Sequence, residues 1–169
     1  EESIGVKAID LDSSTLNVIE SQHFTIGLQT IGFRGFAYST INLGRIINNK
    51  IGLDVTSDGT GWCNDNIFNS GRISVTSTTH KDKSRYGIRI TSRNAYRQNN
   101  NVFNKPAIEM GIPTTGESIA ILVEHGILNK FKDVRSEGNN NLIARFSNQS
   151  TKNQIVTGYS TMLAYIEDL

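Results

Sequence analysis

A short phrase recurs along this chain of 169 residues: Ile4-Gly5-Val6-Lys7-Ala8, Ile26-Gly27-Leu28-Gln29-Thr30, Ile51-Gly52-Leu53-Asp54-Val55, Tyr86-Gly87-Ile88-Arg89-Ile90 and Ile119-Ala120-Ile121-Leu122-Val123. Each copy runs apolar, small, apolar, variable, apolar or small, the period-two pattern of a strand with one buried face. The copies begin at 4, 26, 51, 86 and 119, so the steps between them are 22, 25, 35 and 33 residues. Self-similarity at such steps signals stacked repeats, each covering its neighbour, rather than a domain built once. A tight coil takes roughly 20 to 25 residues, so the two longer steps carry extra chain that must loop outwards. The expectation is an all-β solenoid, with Ile4, Ile26, Ile51, Tyr86 and Ile119 piled in one internal column.

Bulk properties narrow the partners. A hydrophobic content of 37% over this length suits one domain, residues 1–169, with a core of its own. The formal charge is +1 with acids and bases interspersed, which gives no sustained attraction for nucleic acid. No apolar run approaches the roughly 20 residues of a membrane helix. Glu1-Glu2-Ser3 shows neither a Met start nor a signal-peptide pattern, which reads as a fragment or a processed product, one that lacks flanking coils or caps. Cys63 stands alone and reads as a buried thiol. No zinc spacing, Gly-rich phosphate loop or serine elbow is present, so no cofactor is expected.

Helical signals are weak, and β-branched residues, Asn, Ser and Gly are spread along the whole length. Residues 160–169 fit either a last strand or a short helix, with Met162, Leu163, Tyr165, Ile166 and Leu169 loosely on one face. A second family of segments lies between the copies. Asn64-Asp65-Asn66-Ile67-Phe68-Asn69 resembles Asn99-Asn100-Asn101-Val102-Phe103-Asn104, with fainter echoes at Asn140-Asn141-Leu142-Ile143 and Asn153-Gln154-Ile155-Val156. Asn tolerates the left-handed corners between strands. Stacked Asn side chains also pair between strands about 4.8 Å apart.

Apolar-Gly-apolar strands followed by Asn-X-(Ile/Val)-Phe-Asn segments resemble the right-handed parallel β-helix of the pectin-lyase-like superfamily. Within it, the uneven repeat lengths and the Ser/Thr/Asn richness are most similar to bacteriophage tailspikes, neck appendages and capsule depolymerases. The likeness covers about Ile4 to Tyr159 and implies about six coils. It further implies a homotrimeric fibre segment, placed on the virion tail or otherwise outside the cell, whose partner is a bacterial surface glycan such as capsule, lipopolysaccharide or teichoic acid. Arg89-Ile90-Thr91 shares two residues with the Arg-Ile-Lys tripeptide of polygalacturonases; the paired Asp and Gly-His-Gly elements of those enzymes are absent, and their mechanism is not carried over.

If Ile51, Leu53 and Val55 face inwards, Gly52, Asp54 and Thr56 face out, in a column that reads Lys7, Gln29, Asp54, Arg89 and Leu122. Asp54 and Arg89 then form an exposed ion pair, beside a polar stripe of Thr56, Thr91 and Glu124. Glycoside cleavage needs two carboxyl groups, and Asp54, Asp58 and Asp82 are the candidates, with Asp65 and Glu124 behind them. The long excursion also carries Trp62, His80, Lys81 and Lys83. Trp62 and Tyr96 offer aromatic faces to a sugar ring, with Arg89 and Glu124 as further substrate contacts; Trp62 serves equally as a corner plug and His80 as a solvated loop residue. Two other readings stay open: a passive fibre shaft, and a β-sandwich carbohydrate-binding module with hairpin-connected strands. Ile9, Ile31 and Leu122 are the apolar outward residues available to a trimer interface.

Overall fold

A computed structural model describes residues 2–76, 83–138, 142–160 and 166–168. The described chain contains no helix and runs through β1 (Ile4–Ile9), β2 (Thr15–Gln22), β3 (Ile26–Gly32), β4 (Phe36–Ala37), β5 (Thr40–Ile47), β6 (Ile51–Ser57), β7 (Cys63–Asn64), β8 (Ile67–Asn69), β9 (Arg72–Val75), β10 (Arg85–Ile90), β11 (Gln98–Asn99), β12 (Val102–Asn104), β13 (Ala107–Met110), β14 (Ser118–Val123), β15 (Gly126–Ile127), β16 (Lys130–Gly138), β17 (Leu142–Phe146), β18 (Gln154–Ser160) and β19 (Ile166–Asp168). Two large sheets are visited in alternation. The first has seven strands in the order β1-β3-β6-β10-β14-β17-β19; the second has eight and takes in β2, β5, β8, β9, β12, β13, β16 and β18. Short ribbons β4-β7 and β11-β15 lie on the way from the first sheet to the second. All pairings between these strands are parallel, so the hairpins that a β-sandwich requires are not found among the described residues.

Ile4, Ile26, Ile51, Tyr86 and Ile119 are successive register partners, as the repeated phrase implies, but the column is not the internal one expected: none of the five joins the central core cluster, and Ile4 and Tyr86 are only half-buried. The ladder continues to Leu142. Leu142-Ile143-Ala144-Arg145-Phe146 is therefore one more copy, disguised because Ile143 stands where the earlier copies have Gly or Ala. That corrects the grouping of Asn140-Asn141-Leu142-Ile143 with the Asn-Phe segments.

The facing of the small residue also differs from strict alternation. A Cβ on Gly52 would lie 2.2 Å from Ile73 Cγ2 and 2.7 Å from the Gly87 carbonyl oxygen, and Ile73 belongs to the core. Gly52 thus faces inwards, as does its neighbour Leu53. Two consecutive inward residues need a break in the pleat, and the ladder pairings skip this position in each copy. The central cluster is built by the next column, Leu28, Leu53, Ile88 and Ile121, while Ile26, Ile51 and Ile119 are buried outside it.

The second sheet contributes Ile41, Phe68, Phe103 and Phe131, in register. The three rings stack with centroids 4.7 and 4.6 Å apart and planes within 7° and 10° of parallel. That geometry is imposed by strand spacing, which sets identical side chains about 4.8 Å apart. Ahead of them Asn66, Asn101, Asn129 and Asn153 form an amide ladder. Asn66 Nδ2 donates to Asn101 Oδ1, Asn101 Nδ2 to Asn129 Oδ1 and Asn129 Nδ2 to Asn153 Oδ1, each at 3.0 Å. The same amides donate to the carbonyls of Phe36, Cys63 and Gln98, while Asn153 donates to that of Gly126.

The corners before this ladder are left-handed, but Asn is not the rule there. Tyr38, Asp65, Asn100, Leu128 and Lys152 hold φ values of 52°, 56°, 53°, 58° and 56°. Sequence reasoning placed Asn at the corner; most of it sits one residue later, where its side chain satisfies buried backbone. At the end of the chain β19 settles 166–168 as a strand.

Candidate functional site

Three surfaces are candidates for a functional site. The first is the outward column of the seven-stranded sheet. Asp54 lies between the core residues Leu53 and Val55 and so points to the opposite face. Its Oδ1 accepts from Arg89 Nε at 2.9 Å and its Oδ2 from Gln29 Nε2 at 2.8 Å. The Asp54 side chain is only 1% exposed and that of Arg89 23%, which corrects the expectation of a solvated pair. Gln29 and Arg89 flank Asp54 on the neighbouring strands, leaving its oxygens committed to protein donors. Burial works against the Arg89 charge, yet the hydrogen bond and charge of Asp54, with Glu124 and Glu2, outweigh it and raise the guanidinium pKa. The guanidinium carbon lies 6.0 Å from the Tyr86 ring centroid, and Tyr86 in turn donates to Glu117 Oε1 at 3.3 Å. Glu124 is half-buried, one position beyond the ladder, with Ser147 Oγ donating to its carbonyl at 2.6 Å. Ile31 and Leu122 are also buried, so of the three apolar residues assigned to a trimer interface only Ile9 is exposed.

The second surface is the edge where the first sheet ends. Here the connections carry Phe33, Trp62 and Tyr96, which are 53%, 42% and 52% exposed. The Phe33 amide donates to Asp10 and the Trp62 carbonyl accepts from Phe36 N, both on the adjoining pass, whereas Tyr96 is held within its own connection by Asn94 and Gln98. Asp10 Oδ1 accepts from the consecutive amides of Phe33, Arg34 and Gly35 at 2.6, 2.8 and 3.2 Å, and Oδ2 accepts from Arg34 Nε at 3.3 Å. Burial opposes the Asp10 charge, but these donors hold its pKa below the ordinary carboxylate value. The Trp62 indole lies against Gly35, where a Cβ would come within 3.3 Å of two ring carbons. Trp62 is thus an exposed face resting on the preceding pass. Asn94 ties its connection to the preceding one, donating to the carbonyls of Gly61 at 3.1 Å and Gly59 at 3.3 Å while accepting from Tyr96 N at 2.9 Å. Beneath, Gln98 bridges Ser57 Oγ at 2.6 Å and Cys63 N at 2.7 Å.

Asp58 belongs to this corner as a turn residue. Its Oδ1 accepts from Gly59 N at 2.7 Å, its carbonyl accepts from Gly61 N at 3.1 Å, and Arg93 Nη1 lies 3.5 Å from Oδ2. Asp82, like His80 and Lys81, lies outside the described residues. The structure therefore brings Trp62, Tyr96 and Asp58 to one edge and Asp54, Arg89 and Glu124 to another face. Phe33, Arg93 and Asn94 were missed; Phe33 and Arg93 are level with Asp58 just after their strands, a relation that appears only once the strands are aligned by register.

The third surface lies on the outer side of the eight-stranded sheet, where Arg72, Ala107, Ile108, Glu109, Arg135 and Glu137 line a groove of about 410 Å³. Among the described residues no group of three His, Cys, Asp or Glu is placed to hold a metal ion, and no helix is long and apolar enough to cross a membrane. No protein-family model, curated protein or solved structure matches this chain.

Proposed function

We propose that the two large sheets are faces of a right-handed parallel β-helix, and that the chain is a segment of a bacteriophage tailspike- or appendage-type adhesin. It binds a bacterial surface polysaccharide or teichoic acid along the aromatic edge. The observation that carries this reading is the recurrence of an exposed ring on successive connections, Phe33, Trp62 and Tyr96, each held from behind by backbone or amide hydrogen bonds. Aromatic faces on a rigid parallel scaffold repeat in one direction, as a linear polymer does, and each supplies apolar area to a sugar ring at little entropic cost. Arg34, paired with Asp10, and Arg93, paired with Asp58, lie on the same connections as Phe33 and Tyr96. Binding without cleavage is the form the described residues favour, because the oxygens of Asp54 are occupied and Asp58 is engaged in its own turn. By the same resemblance the segment assembles as a homotrimer on the virion tail.

The test is to incubate the protein with purified capsule, lipopolysaccharide and teichoic acid, reading retention on the polymer and the appearance of new reducing ends. Retention that falls at least about tenfold in Trp62→Ala and Tyr96→Ala, with no new ends, is the expected result. New ends that disappear in Asp58→Asn overturn the non-cleaving form. Absence of retention on every polymer leaves the passive shaft as the better reading. Sedimentation equilibrium separates trimer from monomer.

A further inference from the structure

Arg45, Arg72, Ala107 and Arg135 stand in one register column on the outer side of the eight-stranded sheet. Ala107 is the short member, and the gap above it is the groove. Glu109 and Glu137 are register partners of each other, so their backbones lie about 4.8 Å apart. Arg72 Nη2 donates to Glu109 Oε2 at 2.7 Å, and Arg135 Nε donates to Glu137 Oε1 at 2.7 Å. Side-chain exposures of 60% and 36% in the first pair and 58% and 34% in the second leave both open to ligand. A guanidinium has five N–H donors and a carboxylate about four acceptor positions, so most of this capacity is unspent.

Two cations and two anions balance. A charged ligand meets a like charge wherever it settles between the pairs, whereas a hydroxyl group accepts from a guanidinium and donates to a carboxylate. The Ala107 methyl offers a small apolar floor under such a guest, and the volume lies within the range of small-ligand sites. We infer that this groove is a subsite for one uncharged, polyhydroxylated sugar residue, separate from the aromatic edge. The inference rests on the glycan-binding reading and adds to it the class of residue recognised.

The experiment uses the whole chain and purified bacterial surface polysaccharides sorted into neutral and acidic sets. Ala107→Arg refills the column and closes the groove; Glu109→Gln removes a charged acceptor with little change of shape; circular dichroism checks that both fold. The expected result is that the wild type retains neutral polymers, that both variants weaken this at least about tenfold, and that the wild-type affinity changes little between low and physiological salt. If both variants bind as the wild type does while Trp62→Ala does not, the groove is not a subsite and the glycan reading stands. If the variants lose only acidic polymers, the ligand class is wrong. If the wild type binds no polymer, both readings fall together. Should Ala107→Arg not fold, Glu109→Gln alone decides by the same criteria.

Discussion

Two asparagine ladders run along this molecule, one at the inner corners just ahead of the strands of the second sheet and one on the outer face of those strands. On the inner side Asn66, Asn101 and Asn129 are 0% exposed, and each amide bonds both to the next Asn and to a backbone carbonyl. On the outer side Asn42 donates to Asn17 at 2.8 Å, Asn69 to Asn42 at 3.1 Å and Asn104 to Asn69 at 3.0 Å, with solvent as the alternative partner. Residue type and spacing are the same. What separates them is the cost of leaving a group unpaired, which is large inside and small outside. The inner ladder specifies the corner; the outer one decorates the surface.

The largest contrast is expected from aspartate. Asn101→Asp places a carboxylate oxygen against the Cys63 carbonyl and Asn129 Oδ1, and a buried charge so opposed costs about 3 to 5 kcal/mol. Burial raises the folded-state pKa of the new acid. The penalty is therefore full well above the unfolded value of about 4 and shrinks as pH falls towards it. Asn69→Asp on the outer ladder is expected to change stability by less than about 1 kcal/mol. Urea unfolding of both at pH 7 and pH 4.5 reads the difference, and equal losses would break the distinction. Alanine gives a smaller version: about 2 to 3 kcal/mol for Asn101→Ala, against about 0.5 kcal/mol for Asn69→Ala.

Cys63 reports on the same corner without perturbing it. Burial, and to a lesser degree the Asp54 charge, push its pKa up to about 12 despite the Thr30 hydroxyl. Its thiol should then react with a disulfide reagent only as fast as the protein opens, and faster in Asn101→Ala but not in Asn69→Ala. The smallest effect is expected at Asp10. Its lowered folded-state pKa means that its contribution is present above the unfolded value of 3.8 and is lost as pH falls through the folded one. Asp10→Asn should therefore flatten the acid limb of the stability curve slightly while loosening the Phe33 connection, read as faster amide exchange at 33–35.

The first sheet was legible because its phrase combines an apolar residue, a small one and an apolar one at a fixed offset, which few surface segments do. Leu142 escaped because Ile143 fills the small position. The inward turn of Gly52 was not legible, since alternation assumes an unbroken pleat and only the contact with Ile73 reveals the break. Asn129-Lys130-Phe131 is a member of the second family by register, hidden because Lys130 stands where Ile67 and Val102 do and Lys132 where Asn69 and Asn104 do. Among the residues of the proposed binding surfaces, Trp62 and Tyr96 stood out by type. Arg72, Glu109, Arg135 and Glu137 did not, because charged residues on strands are common and only the register puts Ala107 between two arginines.

Everything about the edge and the groove depends on neighbouring strands lying parallel and in this register. Replacing Asn42 and Asn69 with cysteine tests it directly: as outer-face register partners their Cα atoms fall within the roughly 4.4 to 6.8 Å that a disulfide spans. Asn42 and Asn104 are two strands apart, about 9.6 Å, and fall outside it. The account predicts that mild oxidation closes an intramolecular disulfide in the first double variant and none in the second. Closure in the second, or in neither, would contradict it.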